Sequence, residues 1–451
     1  MSGLFGTDGV RGVANRDLTP ELALRIGRAA ASLLPDETDH RPVIVGRDTR
    51  VSGSMLEAAI VAGITSVGRD AVSVGIVPTP AVACITRSED AAAGVVISAS
   101  HNPIADNGIK FFGPDGFKLS DRLESEIEAL VASDALPRPT GMAVGVARLA
   151  QNLGRHYYEE LYDGKPDLRG LRVVVDGAFG AAYAIAPYAL RKLGAEVIEI
   201  NCDDDGARIN VECGATNLEA LREAVLANGG GGRRAVGVAF DGDADRALFV
   251  DEAGEVVTGD HVMFALGRAM HAAGELRGDT VVGTVMSNIG FERALRRHGI
   301  TLVRTPVGDR YVLEQMREGE YTLGGEQSGH VVDFRYNTTG DGPRTAVTLL
   351  AIVAANATTL HELVREVIVA PQVLVNVRAG NRDVLAAPAV RDEIAAAEAE
   401  LDGTGRLLIR PSGTEPLIRV MAEGDDAALV EALAARVAAR IEQEVGRSGP
   451  R

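Results

Sequence analysis

Apolar positions along the chain switch repeatedly between a period of two and a period of 3.6, so short strands alternate with helices. Thr19-Pro20-Glu21 has the form of an N-cap with Pro at the first helical position and predicts a helix to about Leu34. A strand follows at 43–45, then a helix from about Ser54 and strands at 71–74 and 94–97. An acidic helix at 121–131 closes this block, and the Pro- and Gly-containing stretch 136–141 reads as a linker.

The second block starts near Leu149. Its strand at 171–175 ends in Asp176-Gly177 and leads to a helix at 181–193, a strand at 196–200 and a helix at 218–227. A glycine run at 229–232 follows, and strands at 235–240 and 247–251 flank a polar loop. The third block, from about Gly254, runs helix, strand 280–284, helix 290–298, strand 301–305, helix, strand 321–324, then two helices to about Val367. Within it, 346–355 is the most apolar stretch of the chain; it is too short to span a bilayer and reads as a buried helix. The fourth block differs: strand 373–378, helix 384–401, strands 407–409 and 417–421 and helix 427–445 form a small α+β unit. The pattern predicts an α/β protein with domains at 1–145, 146–252, 253–368 and 369–451, and no internal repeat strong enough to claim duplication.

Composition narrows the function classes. The chain has 451 residues, 46 Lys+Arg against 63 Asp+Glu, and a net charge of −17. Such a surface repels nucleic acid and anionic membranes at long range, so neither is an expected partner. Cys84, Cys202 and Cys213 are odd in number and lack metal-ligand spacing, which fits a reducing compartment. The first residues lack the basic and apolar regions of a signal peptide, so a cytoplasmic location is expected. Glycine is abundant, 52 residues, which predicts tight turns and close backbone approaches. Lysine is scarce: Lys110, Lys118, Lys165 and Lys192 are the only four.

Four loops carry candidate chemistry. Ser98-Ala99-Ser100-His101-Asn102-Pro103 follows a strand directly, where a sheet can hold a hydroxyl as a covalent acceptor; a polar turn with satisfied hydroxyls would look the same. Asp241-Gly242-Asp243-Ala244-Asp245-Arg246 places three carboxylates at alternate positions, able to converge on one hard cation. An EF-hand is excluded, because Arg246 stands where glycine is needed and both flanks read as strands. Gly324-Gly325-Glu326-Gln327-Ser328-Gly329-His330 offers groups suited to sugar hydroxyls, although an ordinary Gly-rich turn carries the same letters. Arg410-Pro411-Ser412-Gly413-Thr414-Glu415-Pro416, with Arg419 beyond, is a plausible phosphate cradle, open also to reading as a hairpin turn with a surface arginine. It is not a Walker A loop, since no lysine follows the glycine and a strand comes next.

These loops, with Phe5-Gly6-Thr7-Asp8-Gly9-Val10-Arg11-Gly12 and Asp106-Asn107-Gly108-Ile109-Lys110, resemble the α-D-phosphohexomutase family, and the glucosamine branch of it in particular. The resemblance implies three α/β/α domains with mixed sheets around a central cleft, plus a smaller C-terminal α+β domain. It implies that Ser100 is a phosphoserine, with Mg²⁺ between its phosphate and Asp241, Asp243 and Asp245. It implies interconversion of glucosamine 6-phosphate and glucosamine 1-phosphate, for UDP-N-acetylglucosamine synthesis, through a hexose 1,6-bisphosphate that also primes the enzyme. Arg246 and Arg11 would then offset charge on the moving group. Glu326 and Ser328 would read sugar hydroxyls; Arg410, Ser412, Gly413, Thr414 and Arg419 would hold the non-reacting phosphate. Lys110, His101 and His330 are the candidates for acid–base work. Phosphoglucomutase or phosphomannomutase activity is the alternative, and a non-catalytic sugar-phosphate sensor a more distant one. A homodimer is a family-level expectation.

Overall fold

Strand pairing divides the chain into four sheets. The structure, a computed structural model, describes residues 3–448 apart from 7, 35–40, 134, 135, 137, 163, 165, 166, 230–233 and 413–415. The first sheet has the strand order Val10–Val13, Asp106–Phe112, Ala93–Ile97, Val43–Arg47, Ala71–Ile76, Ala147–Leu149. Its last four strands run parallel, and the first two join through antiparallel pairings. The second has the order Val256–Val257, Ala247–Val250, Ala235–Phe240, Arg172–Asp176, Glu196–Ile200. The third has the order Thr301–Thr305, Thr280–Thr284, Leu323–Gly325, Val331–Asp333. The last is an antiparallel three-stranded sheet, Gln372–Arg378, Leu417–Gly424, Gly405–Pro411.

Ala93–Ile97 and Ala235–Phe240 are buried along their whole length, as expected where helices cover both faces of a sheet. The fold is thus three α/β units with mixed sheets and a smaller C-terminal α+β unit. Apolar packing does not stop at the edge of each unit: Ile44, Val173 and Val281, from the first, second and third sheets, belong to one contiguous core. The C-terminal unit has its own core around Val377, Val390, Val420 and Val437.

Local signals explain many of the elements. Thr19 caps the helix Pro20–Ser32 by accepting from the Leu22 N–H. Asp341 does the same for Arg344 at the start of Gly342–Ala355, which contains the apolar stretch and is largely buried. Other elements depart from the pattern. Asp106–Phe112 is a strand although it contains Asp, Asn, Gly and Lys: Lys110 faces the site described below, while Asn107 on the other face bonds Ser52. Thr79–Ser88 is a helix buried on nearly every side, so it shows no apolar stripe to read. The helix expected from 181 begins at Ile185, after a turn in which Ala178 and Phe179 take positive φ. The helix expected over 384–401 is divided into a 3-10 turn, Arg382–Ala386, and the helix Pro388–Glu400. Pro388 keeps Ala387 extended, which breaks the helix there.

The C-terminal unit docks on the third through two carboxylates, Glu423 and Asp425, the latter paired with Arg293. Glu423 is fully buried and accepts from Arg406 Nε (2.5 Å), the Ile289 N–H (3.0 Å) and Gln372 Nε2 (2.8 Å). Arg406 spans the same boundary, donating to the carbonyls of Val285 and Ser287, both at 2.8 Å. Replacing Glu423 by Ala strands these donors, and because Arg406 reaches partly to solvent the expected loss is about 2–3 kcal/mol. Denaturant unfolding of the full chain measures it, and the C-terminal unit is expected to unfold first.

Candidate active site

Three of the four loops meet in one place. Ser100 stands just past the end of Ala93–Ile97, is buried, and has a left-handed backbone, φ 52°. Its Oγ donates to Asp241 Oδ2 at 2.6 Å and lies 3.2 Å from His101 Nδ1. Asp241, Asp243 and Asp245 sit on the turn between Ala235–Phe240 and Ala247–Val250, an antiparallel pair. They are buried, and one carboxylate oxygen of each lies within 4.8 Å of the others. The turn closes tightly against the serine loop: a Cβ on Gly242 would come within 2.5 Å of the Ser100 carbonyl oxygen, so only glycine fits.

Like charges this close raise one another's pKa. Burial, followed by Asp245 and Asp243, pushes Asp241 up to about 8, against the opposing pull of Arg246 and the Ser100 hydroxyl. Lys110, also fully buried, is the nearest cation, 3.0 Å from Asp243, 3.0 Å from Asp8 and 3.8 Å from Asp245. Burial opposes its charge, yet Asp243, Asp8 and Asp245 hold it as an ammonium with a pKa well above the usual lysine value. Arg246 stands 3.7 Å from Asp245, and its backbone N–H donates to Asp241 at 3.2 Å. Arg11 pairs with Asp8 and donates to Asn102 Oδ1 at 3.1 Å, tying the N-terminal motif to the serine loop.

The third unit closes one side. His330 places Nδ1 3.6 Å from Asp245 and accepts the Gly340 N–H at Nε2. Burial opposes its protonation, but Asp245 and Asp309 raise its pKa above the ordinary value. His101 is shifted the other way: burial and the charges of Arg246 and Arg11 lower it to about 4, so it is neutral at pH 7. Glu326 accepts the Gly308 N–H at 3.1 Å, and Ser328 Oγ lies 3.4 Å from its second oxygen. Glu326 also contributes to the raised pKa of Arg246, so the sugar-type loop and the acidic turn are within electrostatic reach.

The fourth loop lies on the C-terminal sheet. Arg410 and Arg419 are directly opposite each other on Gly405–Pro411 and Leu417–Gly424. Like charges so placed repel; burial and then Arg419 lower the Arg410 pKa. An anion between the two guanidinium groups would relieve this. Ser412 is buried beside them, while Gly413 and Thr414 lie outside the described residues.

Several residues here carry no sequence signal of their own. Asp8 joins Arg11, Lys110 and Lys118. Lys118 bridges Asp8 in the first unit to Asp309 in the third. Thr79 donates to Asp243 Oδ2 at 2.6 Å. The scarcity of lysine points to Lys110, and the same reasoning could have found Lys118. The cysteines take no part. Burial pushes all three thiols up to about 12, and Cys84 and Cys213 are buried outright.

Four models of one family match the sequence: phosphoglucomutase/phosphomannomutase alpha/beta/alpha domain I over residues 2–138, domain II over 155–254, domain III over 258–370, and the C-terminal domain over 374–440. The chain belongs to the phosphoglucomutase/phosphomannomutase family. Within this family it is 53% identical over 450 residues to a phosphoglucosamine mutase of Symbiobacterium thermophilum, covering 99% of this chain and 100% of that one. It is 52% identical over 434 residues to the phosphoglucosamine mutase of Desulforudis audaxviator, covering 95% and 96% of the two chains. Among solved structures, a phosphoglucomutase/phosphomannomutase family protein from Burkholderia thailandensis superposes with a TM-score of 0.83 at 23% identity, covering 100% of this chain and 99% of that chain. An Aspergillus fumigatus N-acetylphosphoglucosamine mutase in complex with GlcNAc-6P and magnesium superposes with a TM-score of 0.69 at 18% identity, covering 98% and 95%. The two structures share the family fold.

The donor set of the acidic turn fits a hard divalent cation. All ligands are carboxylate oxygens, and Oδ1 of Asp243 and of Asp245 is buried without a hydrogen bond. Adding Mg²⁺ is therefore expected to raise the thermal midpoint, by the equivalent of about 2.7 kcal/mol at a hundredfold excess over Kd. Calorimetry of a variant with Asp241, Asp243 and Asp245 all changed to Asn is expected to show no such shift.

Proposed function

We propose that this chain interconverts glucosamine 6-phosphate and glucosamine 1-phosphate through a phosphoserine at Ser100 and a glucosamine 1,6-bisphosphate intermediate. The observation that carries this reading is the 2.6 Å contact of Ser100 Oγ with Asp241, inside a cluster of three buried carboxylates. Near-complete coverage by phosphoglucosamine mutases at about half identity supports the choice of an amino sugar over glucose or mannose.

In the first half-reaction an oxygen of the bound sugar phosphate forms a bond to phosphorus as the Ser100 Oγ–P bond breaks. The proton of the attacking hydroxyl leaves, and one is supplied to Oγ. In the second half the bisphosphate presents its other end: the carbon-6 oxygen–phosphorus bond breaks as Ser100 Oγ bonds to that phosphorus, the carbon-6 oxygen takes up a proton, and glucosamine 1-phosphate leaves with Ser100 phosphorylated again. Asp241, Asp243 and Asp245, with the phosphate on Ser100, would hold Mg²⁺, which when bound neutralises charge on the transferring group.

The chain's own groups have distinct tasks in this scheme. Lys110 is held as an ammonium by three carboxylates, so it donates hydrogen bonds to phosphoryl and bridging oxygens and does not act as a base from that state. His101, 3.2 Å from Oγ, is the acid–base candidate nearest the oxygen that exchanges a proton. His330 accepts the Gly340 N–H at Nε2 and places Nδ1 3.6 Å from Asp245, so it borders the acidic turn. Arg246 and Arg11 supply further positive charge beside the acidic turn. Glu326 and Ser328 would take sugar hydroxyls. Arg410 and Arg419, with Ser412, Gly413 and Thr414, would hold the phosphate that is not reacting. Both ends of the sugar must fit in turn, and a pair of arginines recognises a phosphate whichever carbon bears it.

The test is a coupled assay after priming with glucose 1,6-bisphosphate. Turnover is expected to be greatest with glucosamine 6-phosphate, with minor activity on glucose 6-phosphate. Ser100→Ala is expected to abolish it; full turnover in that variant would refute the phosphoserine route. Arg410→Ala is expected to raise KM about 10- to 100-fold, the loss of one charge-assisted phosphate contact.

A further inference from the structure

One buried arginine holds the whole serine loop, and no feature of the sequence singles it out. The Arg50 side chain is 0% exposed. Its guanidinium donates from Nη2 to the carbonyls of Ser100 and Asn102, both at 2.8 Å. It donates from Nη1 to the carbonyls of Pro103 (2.7 Å) and Asp106 (3.0 Å). The fifth N–H, on Nε, goes to Asp48 Oδ2 at 3.0 Å. Every donor of the guanidinium is therefore committed, four of them to a single loop.

Asp48 completes the arrangement. It is fully buried, accepts the Arg50 backbone N–H at 2.9 Å, and accepts the Ser98 hydroxyl at 2.5 Å. Ser98 Oγ in turn accepts the Ser100 N–H at 2.9 Å. Ser100 is thus gripped by both its N–H and its carbonyl. The second unit adds Asn210, whose Nδ2 donates to the same Ser100 carbonyl at 2.9 Å. These bonds offset the cost of the left-handed backbone at Ser100, a conformation unfavourable for a residue with a Cβ.

We infer that Arg50 is a positioning residue for phosphoryl transfer: it fixes the loop so that Ser100 Oγ stays aimed at the acidic turn. The inference rests on the reading that Ser100 carries the phosphoryl group. Arg50 touches neither substrate nor the reacting oxygen; it acts through the loop backbone. Lysine cannot replace it, because three donors on one nitrogen do not span carbonyls arranged around a planar fork. With the loop released, Oγ would wander by the order of an ångström, a displacement that costs about a hundredfold in rate. The non-reacting phosphate and the sugar hydroxyls are bound elsewhere, so substrate affinity should change little.

The experiment compares wild type, Arg50→Lys, Arg50→Ala and Ser100→Ala in the coupled assay with glucosamine 6-phosphate after priming with glucose 1,6-bisphosphate. Arg50→Lys is expected to lower kcat about a hundredfold and leave KM within about threefold. Arg50→Ala is expected to regain part of its kcat with millimolar guanidinium and none with methylammonium. A wild-type kcat in Arg50→Lys, alongside an inactive Ser100→Ala, overturns the inference and leaves the phosphoserine reading standing. Full activity in Ser100→Ala overturns that reading itself. Should Arg50→Lys lack a cooperative thermal transition, Arg50→Ala folded in millimolar guanidinium carries the test: a kcat that guanidinium raises no more than methylammonium does overturns the inference.

Discussion

Three buried carboxylates, those of Asp241, Asp243 and Asp245, with the half-buried Asp8 beside them, cannot stand so close without compensating positive charge. Everything around the site follows from that constraint. Lys110 reaches Asp8, Asp243 and Asp245 from the first unit, Arg246 borders the turn from the second, and His330 faces it from the third. Burial and crowding favour the neutral form of such groups, and push the Asp241 pKa up to about 8. The three units must therefore stay together for the charges to remain matched. Their common apolar core keeps them together.

The global and local charge balances point in opposite directions. A net charge of −17 keeps polyanions away, yet the proposed substrate is an anion. At contact range the neighbouring groups decide, because distant charges are screened within a Debye length of about 8–10 Å. Arg410 stands directly opposite Arg419, and burial and then that neighbour lower the Arg410 pKa. The acidic surface and the basic cradle thus act at different distances.

The motifs were legible because the chemistry needs particular residues at fixed intervals along one loop. Asp241, Asp243 and Asp245 are near in sequence, so their convergence could be read from spacing. Arg50 and Thr79 could not, because each meets its partner across a long sequence separation and neither has a local pattern. Asp8 stood inside a quoted motif, but its bonds to Lys110 and Lys118 depend on the pairing of Val10–Val13 with Asp106–Phe112. That second strand was itself hidden. With polar residues on both faces, Asn107 on one and Lys110 on the other, it lacks the apolar alternation by which strands are recognised. The helix Thr79–Ser88 was hidden for the opposite reason, being buried almost all round. The strands of the C-terminal sheet were legible in place but short at their ends, since Gly405 and Pro411 pair in the sheet despite being poor strand formers.

The two kinds of phosphate contact are supported differently, and the proposed reaction explains why. Phosphoryl transfer is sensitive to the placement of Ser100, so that loop is held by four guanidinium bonds from Arg50, beside a core shared by three units. The phosphate that does not react must be released and taken up again when the bisphosphate presents its other end. The cradle proposed for it lies on a unit with a separate core, docked through Glu423, Arg406 and the Arg293–Asp425 pair. A unit joined by a few polar bonds can shift as a body at less cost than one sharing a continuous core, because polar contacts can be exchanged for water while broken apolar packing cannot. Rigidity is concentrated where bonds to phosphorus are made, and the weaker boundary lies where the sugar has to turn.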